Sequence, residues 1–125
     1  MSEGAQIKLA IVGIGNPYRM STMERFGYLD ETLLQQLKQL GTAADINSRF
    51  IDREGRIVNH PINRRVIGME LEQLRQVEQV VGLAFGMHKI ESILAALRGG
   101  WIHMLVTDET TAVQLVEETA LHKKR

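Results

Sequence analysis

One local pattern recurs along the chain: a short apolar run ends at a turn-forming residue, and a stretch with helical spacing follows. The three runs and their ends are Ile7–Val12 before the loop Gly13–Pro17, Gln79–Phe85 before Gly86, and Trp101–Val106 before Thr107-Asp108. Each run has the length of a buried strand and is short for a helix. Strands that alternate with helices at this spacing need right-handed crossovers, which predict a parallel sheet. The predicted fold class is α/β.

The helical stretches carry recognisable start and stop signals. After Asp30, leucines with helical spacing run up to Gly41. An N-cap, one apolar face and a C-terminal glycine therefore all predict a helix between these two residues. The other predicted helices are one or two turns within Met69–Val77, a helix from Ile90 to Gly99-Gly100, and a last helix that Thr107-Asp108 caps. The polar segment Tyr18–Gly27 is predicted to be a loop.

Between Ala44 and Gly68 the apolar residues are mostly β-branched or aromatic, which is typical of strands. Asp52-Arg53-Glu54-Gly55 interrupts them and resembles a hairpin turn closed by glycine. This segment is therefore predicted to form an antiparallel hairpin.

Charge and length exclude several classes of protein. The 125 residues contain fifteen Lys plus Arg and fifteen Asp plus Glu, so the chain lacks the basic surface that captures nucleic acid or anionic membranes. The length suits one domain, and the absence of cysteine excludes disulfides and Cys-ligated zinc. No apolar run approaches the roughly 18 residues that cross a bilayer, and the start lacks a signal peptide. A soluble, cytoplasmic chain without a membrane contact is expected.

The loop Gly86-Met87-His88-Lys89 is the strongest candidate for binding a ligand. Ligands of parallel α/β sheets lie beyond the carboxyl ends of the strands, and this loop leads from such an end into a helix. Free N–H groups and the positive end of the helix dipole favour an anion there. Lys89 opposes that dipole, which is understandable if a phosphate shares the site. The alternative is that Lys89 simply points into solvent.

Two carboxylates are further candidates, because Asp45 and Asp52 flank the extended segment Ile46–Ile51. They could act as acid and base or accept hydrogen bonds from sugar hydroxyls. In an Asp-x-x-Gly sequence, however, a turn is the more frequent role for Asp52. Asp45 lies in an apolar stretch, so a buried carboxylate there would need a partner.

Other motifs favour structural roles. Gly13-x-Gly15 begins like a dinucleotide fingerprint but has Tyr18 at the third glycine position. Asp108 is most simply the cap of the last helix. The four histidines lack the spacing of metal ligands, so neither a metal nor a cofactor is expected, and His88 is retained only because of its loop.

Several stretches in order and spacing resemble the effector-binding domain of the SorC family of bacterial transcription regulators, which is sometimes grouped with DeoR-type sugar regulators. The matching stretches are Ile11–Asn16, Ser21-Thr22, Gly41–Ile46, Arg49–Asp52 with Gly55, Asn63–Gly68, Gly86–Lys89, Ala95–Gly100 and Thr107–Glu109. The resemblance implies a Rossmann-like three-layer parallel sheet akin to sugar-phosphate isomerases and coenzyme A transferases. It also implies that residues 1–125 are the C-terminal part of that domain, without the family's helix-turn-helix and its upstream phosphate-binding loop.

Transferred residue by residue, the resemblance implies an effector site for a phosphorylated sugar or polyol. Lys89 falls on the family's phosphate-contacting lysine, Asp45 and Asp52 fall on acidic positions at or beside the sugar, and Gly86 permits close backbone approach. Two departures are Phe85, where the family usually has glycine, and Ala44, which replaces another glycine. We expect Phe85 to narrow the pocket or to change its ligand preference.

Three functions follow as expectations. The first is the effector-sensing part of a regulator that forms a homo-oligomer and reaches operator DNA only through a domain outside this chain. The second is a sugar-phosphate isomerase with Asp45 or Asp52 as base. The third is an assembly module, since an unpaired sheet edge near Ile7–Val12 would seek a partner and the chain alone would bind ligand poorly.

Overall fold

The computed structural model describes residues 8–18, 31–60 and 71–123, and for residues 120–123 it describes the backbone only. The strands are β1 Leu9–Gly15, β2 Thr42–Ile46, β3 Arg49–Asp52, β4 Gln79–Leu83 and β5 Met104–Val106. The helices are α1 Glu31–Gln39, α2 Leu71–Leu74, α3 Ile90–Arg98 and α4 Glu109–Lys123, and a 3₁₀ turn Met87–Lys89 precedes α3.

The five strands form one mixed sheet in the order β3-β2-β1-β4-β5. β1, β4 and β5 are parallel, whereas β2 is antiparallel to both β1 and β3. The predicted α/β fold is confirmed, and its parallel part consists of the three apolar runs that the sequence singles out. β2 joins β1 only at the pairs Ile14–Ile46 and Gly15–Asp45, so the hairpin is attached to the carboxyl end of β1.

Some predicted strand limits are wrong by two or three residues. Gly13, Ile14 and Gly15 belong to β1, and the loop begins only at Asn16. The backbone stays extended there because the hairpin pairs with it: the Gly13 amide donates to Asn47 Oδ1 at 2.8 Å, and the Asn47 amide donates to the Gly13 carbonyl at 3.0 Å. β4 ends at Leu83 and β5 begins at Met104, so Phe85 and Trp101 lie outside the strands.

The predicted hairpin contains two turns rather than one. The turn at Asp52–Gly55 is confirmed, since the Gly55 amide donates to the Asp52 carbonyl at 2.9 Å and the chain returns so that Ile57 bridges Ile51. A second turn lies at Asn47–Ser48, where both residues have positive φ, 48° and 73°. Two consecutive positive φ values define the tight turn that suits the twist of a hairpin.

Helices cover both faces of the hairpin. Ile51 belongs to the main core with Ile93 of α3, whereas its neighbour Phe50 packs with Leu37 of α1 and Val58. Consecutive strand residues point to opposite faces, so α3 and α1 lie on opposite sides of the hairpin. The buried Ser92 hydroxyl of α3 donates to the Ala43 carbonyl at 2.7 Å and fixes this contact.

Trp101 links the turn of the hairpin to the end of α3. Its ring is buried, and its Nε1 donates to the Gly55 carbonyl. The guanidinium of Arg75 lies 3.8 Å from the centre of the indole ring, which covers the ring with a cation. The turn Asp52–Gly55 is therefore held against the C-terminal end of α3.

Several predictions fall outside the described residues. They are the predicted loop over residues 19–27, the helix cap at Asp30, and the strand-like residues from Pro61 to Gly68. The first residues of the short helix predicted from Met69, and the motifs Ser21-Thr22 and Asn63–Gly68, also lie there. Among the helices of the described ranges, none has the length and apolarity that crossing a membrane requires.

Candidate functional site

Hydrogen bonds join the three loops that follow the parallel strands. Asn16, after β1, donates from Nδ2 to the carbonyl of His88 at 2.8 Å. The amide of Gly86, after β4, donates at 2.8 Å to Oδ2 of Asp108, which follows β5. The loops that the sequence selected separately thus form one connected edge, the place where α/β sheets bind ligands.

Position 86 requires glycine, because of its backbone conformation and because of the nearby His88 side chain. Its φ of 109° lies in the region that L side chains rarely adopt, and a Cβ there would lie 2.7 Å from Cε1 of His88. The exposed imidazole therefore packs where a side chain at residue 86 would lie. Phe85, the departure from the family pattern, is 53% exposed and does not fill an enclosed pocket.

Lys89 stands at the N-cap position of α3. Its amide donates to the Gly86 carbonyl at 3.1 Å, and no side chain caps the helix there. The amide of Ile90 likewise donates to the Met87 carbonyl, so this end contributes the positive end of the helix dipole rather than a free Ile90 amide. The ammonium of the half-buried Lys89 adds a full charge to the same edge.

Asp45 lies on β2 directly beside the end of β1. Its Oδ2 accepts a hydrogen bond from the Ser48 amide at 3.0 Å, and a Cβ on Gly15 would lie 2.3 Å from its Oδ1. Glycine at 15 therefore makes room for the carboxylate. Burial raises the pKa of Asp45, while the Ser48 hydrogen bond and the Lys89 charge act in the opposite direction.

The charge of Lys89 thus reaches Asp45, although these two described residues form no direct ion pair. The edge presents a carboxylate acceptor on one side and an ammonium beside a helix N-terminus on the other. A ligand that carries hydroxyl groups at one end and an anion at the other is chemically complementary to this arrangement.

Asp52 lies away from this edge. Its Oδ1 accepts hydrogen bonds from the amides of Glu54 and Arg56, at 3.0 and 2.9 Å, as a turn residue does. Its turn packs against the C-terminal end of α3, because Gly55 is in contact with Gly99. Lys89 is at the other end of that helix, which is roughly 14 Å long for nine residues.

Asp108 caps α4 as predicted. Its Oδ1 accepts from the Thr111 amide at 2.8 Å, and its Oδ2 accepts from the Thr111 hydroxyl at 2.9 Å. These bonds, together with the one from Gly86, lower the pKa of Asp108 because they favour the ionised form. The cap also ties the start of α4 to the loop of Lys89.

Two asparagines that organise the edge were not among the predicted residues. Asn16 accepts from the Tyr18 amide at 2.9 Å as well as donating to His88, and Asn47 pairs with Gly13. Asparagine directly after a Gly-x-Gly strand end is a signal for such side-chain turns and could have identified Asn16.

A hollow of about 250 Å³ lies beside the edge, between the end of β1 and the start of β2. Lys38, Arg53 and Glu91 line it, and the Tyr18 hydroxyl closes one side by donating to the Thr42 carbonyl at 2.6 Å. Burial raises the pKa of Tyr18. Across the described ranges, no three His, Asp or Glu side chains come together as metal ligands do.

An α/β domain with its candidate site at the carboxyl edge of parallel strands is the class that this fold and geometry define. A family model described as "Putative sugar-binding domain" matches residues 1–117. The chain therefore belongs to this sugar-binding domain family, whose relatives include SorC- and DeoR-type transcription regulators. The resemblance stated from the sequence motifs is confirmed.

Individual relatives give the extent of the match. The deoxyribonucleoside regulator of Bacillus subtilis (strain 168) is 36% identical over 115 residues, 92% of this chain and 36% of that protein. A solved DeoR family transcriptional regulator from Listeria monocytogenes matches with a TM-score of 0.83 and 38% identity, over 90% of this chain and 45% of that one. The solved structure of the full-length sorbitol operon regulator SorC from Klebsiella pneumoniae matches with a TM-score of 0.73 and 34% identity, over 86% of this chain and 35% of that one. The chain thus spans about a third of the curated relatives it matches.

Proposed function

We propose that the chain is the effector-sensing part of a bacterial transcription regulator and that its ligand is a phosphorylated sugar or polyol. Family membership supports the sugar-binding role, and the names of the relatives support regulation rather than catalysis. Residues 1–125 would be the C-terminal part of the effector domain. Such a regulator would act in the cytoplasm as a homo-oligomer and contact operator DNA through a domain outside this chain.

The observation that carries the proposal is that Asp45, beside Gly15 at the end of β1, and Lys89, at the N-cap of α3, both belong to the carboxyl edge of the sheet. The phosphate of the ligand would bind the Lys89 ammonium, beside the positive end of the α3 dipole. Its hydroxyl groups would donate to Asp45, and Gly86 and His88 would form the adjoining wall. Asp52 would keep a structural role in its turn.

Hydrogen bonds connect the proposed ligand-binding loop to other elements of the fold, through which ligand binding would affect the assembly of subunits. Gly86 is joined to Asp108 at the start of α4, and His88 is joined to Asn16 after β1. A ligand that fixes the Gly86–Lys89 loop would also favour one placement of α4. Ligand binding would then shift the population toward one arrangement of subunits and so alter operator binding.

Thermal unfolding with matched ligands tests the proposal. Ribose 5-phosphate, glucose 6-phosphate and sorbitol 6-phosphate should include one that raises the Tm, whereas ribose, glucose and sorbitol should not. The Lys89→Ala variant should show a smaller increase at the same ligand concentration, and Lys38→Ala, from the neighbouring hollow, should keep the full increase. Equal effects of the phosphorylated and plain sugars would contradict a phosphate site.

The same mixtures separate a sensor from an isomerase. Chromatography after prolonged incubation should recover each sugar phosphate unchanged. Formation of an isomer that disappears in Asp45→Asn would instead support the enzyme, with Asp45 as its base.

A further inference from the structure

Asn16 connects the two sides of the candidate site. It is the first residue after β1, and the glycine before it, Gly15, pairs with Asp45 and makes room for the Asp45 carboxylate. The Asn16 side chain donates from Nδ2 to the carbonyl of His88, 72 residues further along the chain, at 2.8 Å. Lys89 follows His88 directly. Two consecutive residues thus contact the carboxylate side and the ammonium side of the edge.

The amide group of Asn16 forms hydrogen bonds at both of its ends. Its Oδ1 accepts from the Tyr18 amide at 2.9 Å, which closes a turn directly after the strand, while its Nδ2 reaches the loop before α3. A carboxylate at this position could accept from Tyr18 but could not donate to the His88 carbonyl. Serine could also accept from Tyr18, but its side chain is too short to reach His88. Asparagine meets both requirements.

The bond from Asn16 holds the part of the loop that carries Lys89. The loop begins at Gly86, whose amide is bound to Oδ2 of Asp108, and this bond fixes only its first residue. The next hydrogen bond, from the Lys89 amide to the Gly86 carbonyl at 3.1 Å, lies within the loop and leaves its placement on the sheet open. The contact between Asn16 and His88 therefore sets where Lys89 stands relative to the end of β1.

We propose that Asn16 is a positioning residue that sets the separation between Asp45 and Lys89 and so selects the ligand by its length. The inference rests on the proposed function, because it takes Asp45 and Lys89 as the two ends of the ligand site. One additional carbon between the hydroxyl groups and the phosphate moves the phosphate by about 1.5 Å, the length of a carbon–carbon bond. A hydrogen bond does not tolerate such a displacement. With the loop held by Asn16, sugar phosphates of five and six carbons should therefore differ in affinity.

Isothermal titration calorimetry tests the selection by length. The measured quantity is the ratio of the affinities for ribose 5-phosphate and for the tighter-binding of glucose 6-phosphate and sorbitol 6-phosphate. Asn16→Asp removes the donor to His88, and Asn16→Ser removes it without adding a charge. Both should bring the ratio closer to one by roughly three- to tenfold, the scale of one lost hydrogen bond. A residue that only stabilised the fold would change both affinities by the same factor.

The matched control is Asn47→Asp, which makes the same chemical change at the same edge. Asn47 accepts from the Gly13 amide through Oδ1, a bond that a carboxylate retains. This variant should keep the affinity ratio of the unaltered chain. An equal change of the ratio in Asn47→Asp and Asn16→Asp would overturn the proposal, because an added charge would then explain the effect.

NMR of the ligand-free chain gives a second readout, which separates failure of this proposal from failure of the proposed function. The amide signals of residues 87–90 should shift and exchange hydrogen faster in both Asn16 variants, and should be unchanged in Asn47→Asp. Unchanged signals in the Asn16 variants would overturn the positioning role, and so would altered signals with an unaltered affinity ratio. If the unaltered chain bound none of the three sugar phosphates, the proposed function would fail, while the loop signals would still decide whether Asn16 positions Lys89.

Discussion

Replacing Lys89 with alanine isolates the charge that the proposed site depends on. The side chain should make a charge-assisted hydrogen bond to the phosphate, a contribution of about 1.5–3 kcal/mol. Because Lys89 is only half-buried, solvent screens part of this interaction and the lower half of that range is expected. The positive end of the α3 dipole and the Asp45 carboxylate remain in the variant, so binding should weaken rather than disappear. The affinity should fall roughly 10- to 45-fold.

Isothermal titration calorimetry with the sugar phosphate that most raises the Tm measures this loss. Lys38→Ala is the matched control, because it removes an exposed lysine from the neighbouring hollow and should leave the affinity unchanged. The heat-capacity change of binding should be similar in both variants, since neither removes apolar contact. Undiminished affinity in Lys89→Ala, or an equal loss in both variants, would refute the assignment of the lysine to the phosphate.

The remaining predictions concern stability and pH. Because burial raises the pKa of Asp45, Asp45→Asn should raise the Tm of the free chain near neutral pH while weakening ligand binding. Protonated Asp45 stabilises the fold fully below the pKa that this carboxyl has in the unfolded chain, and this stabilisation is lost as pH rises through its pKa in the folded chain. The Tm gain of Asp45→Asn should therefore shrink in acid. Gly86→Ala should cost about 1–3 kcal/mol of unfolding free energy in urea titrations, owing to its positive φ and the contact with His88. The pKa of Asp108 is lowered, so its contribution is present above the unfolded pKa and is lost as pH falls through the folded pKa. Asp108→Asn should therefore remove part of the acid sensitivity of the Tm, and an unchanged acid profile would contradict the role of the cap.

The parallel strands could be predicted because their signals are local. Each apolar run is followed by a turn-forming residue and a helix, and this spacing permits only a crossover connection. The cap at Asp108 follows from the same kind of information, since a side chain that satisfies N-terminal amides lies next to the helix that it caps.

The hairpin shows where local signals were insufficient. Asn47-Ser48 forms a turn with two positive φ values, but serine lacks the conformational freedom of the glycine that usually marks such turns. Ile46 to Ile51 consequently resembles one continuous strand. This placed Asp45 and Asp52 at the two ends of a strand, whereas the turn folds the strand in half and Asp52 lies near the end of α3.

The position of Asp45 beside the end of β1 was beyond local sequence signals for another reason. Asp45 lies within β2 and Lys89 lies in the connection after β4, and only the short pairing of Gly15 with Asp45 brings the carboxylate to the edge. Glycine at 15 indicated a turn from the sequence, but in the structure it lies within β1 and makes room for the carboxylate. The resemblance assigned both residues to one effector site, and the structure adds how the pairing of β1 with β2 positions the carboxylate.

An NMR titration tests the central claim most directly, because it locates even a weak ligand on the chain. Addition of the sugar phosphate should shift the amide signals of Gly15, Asp45, Gly86 and Lys89, while the plain sugar should leave the signals of Gly86 and Lys89 almost unchanged. Shifts that cluster at Lys38 and Arg53 instead, with the signals of Gly86 and Lys89 unmoved, would contradict the account.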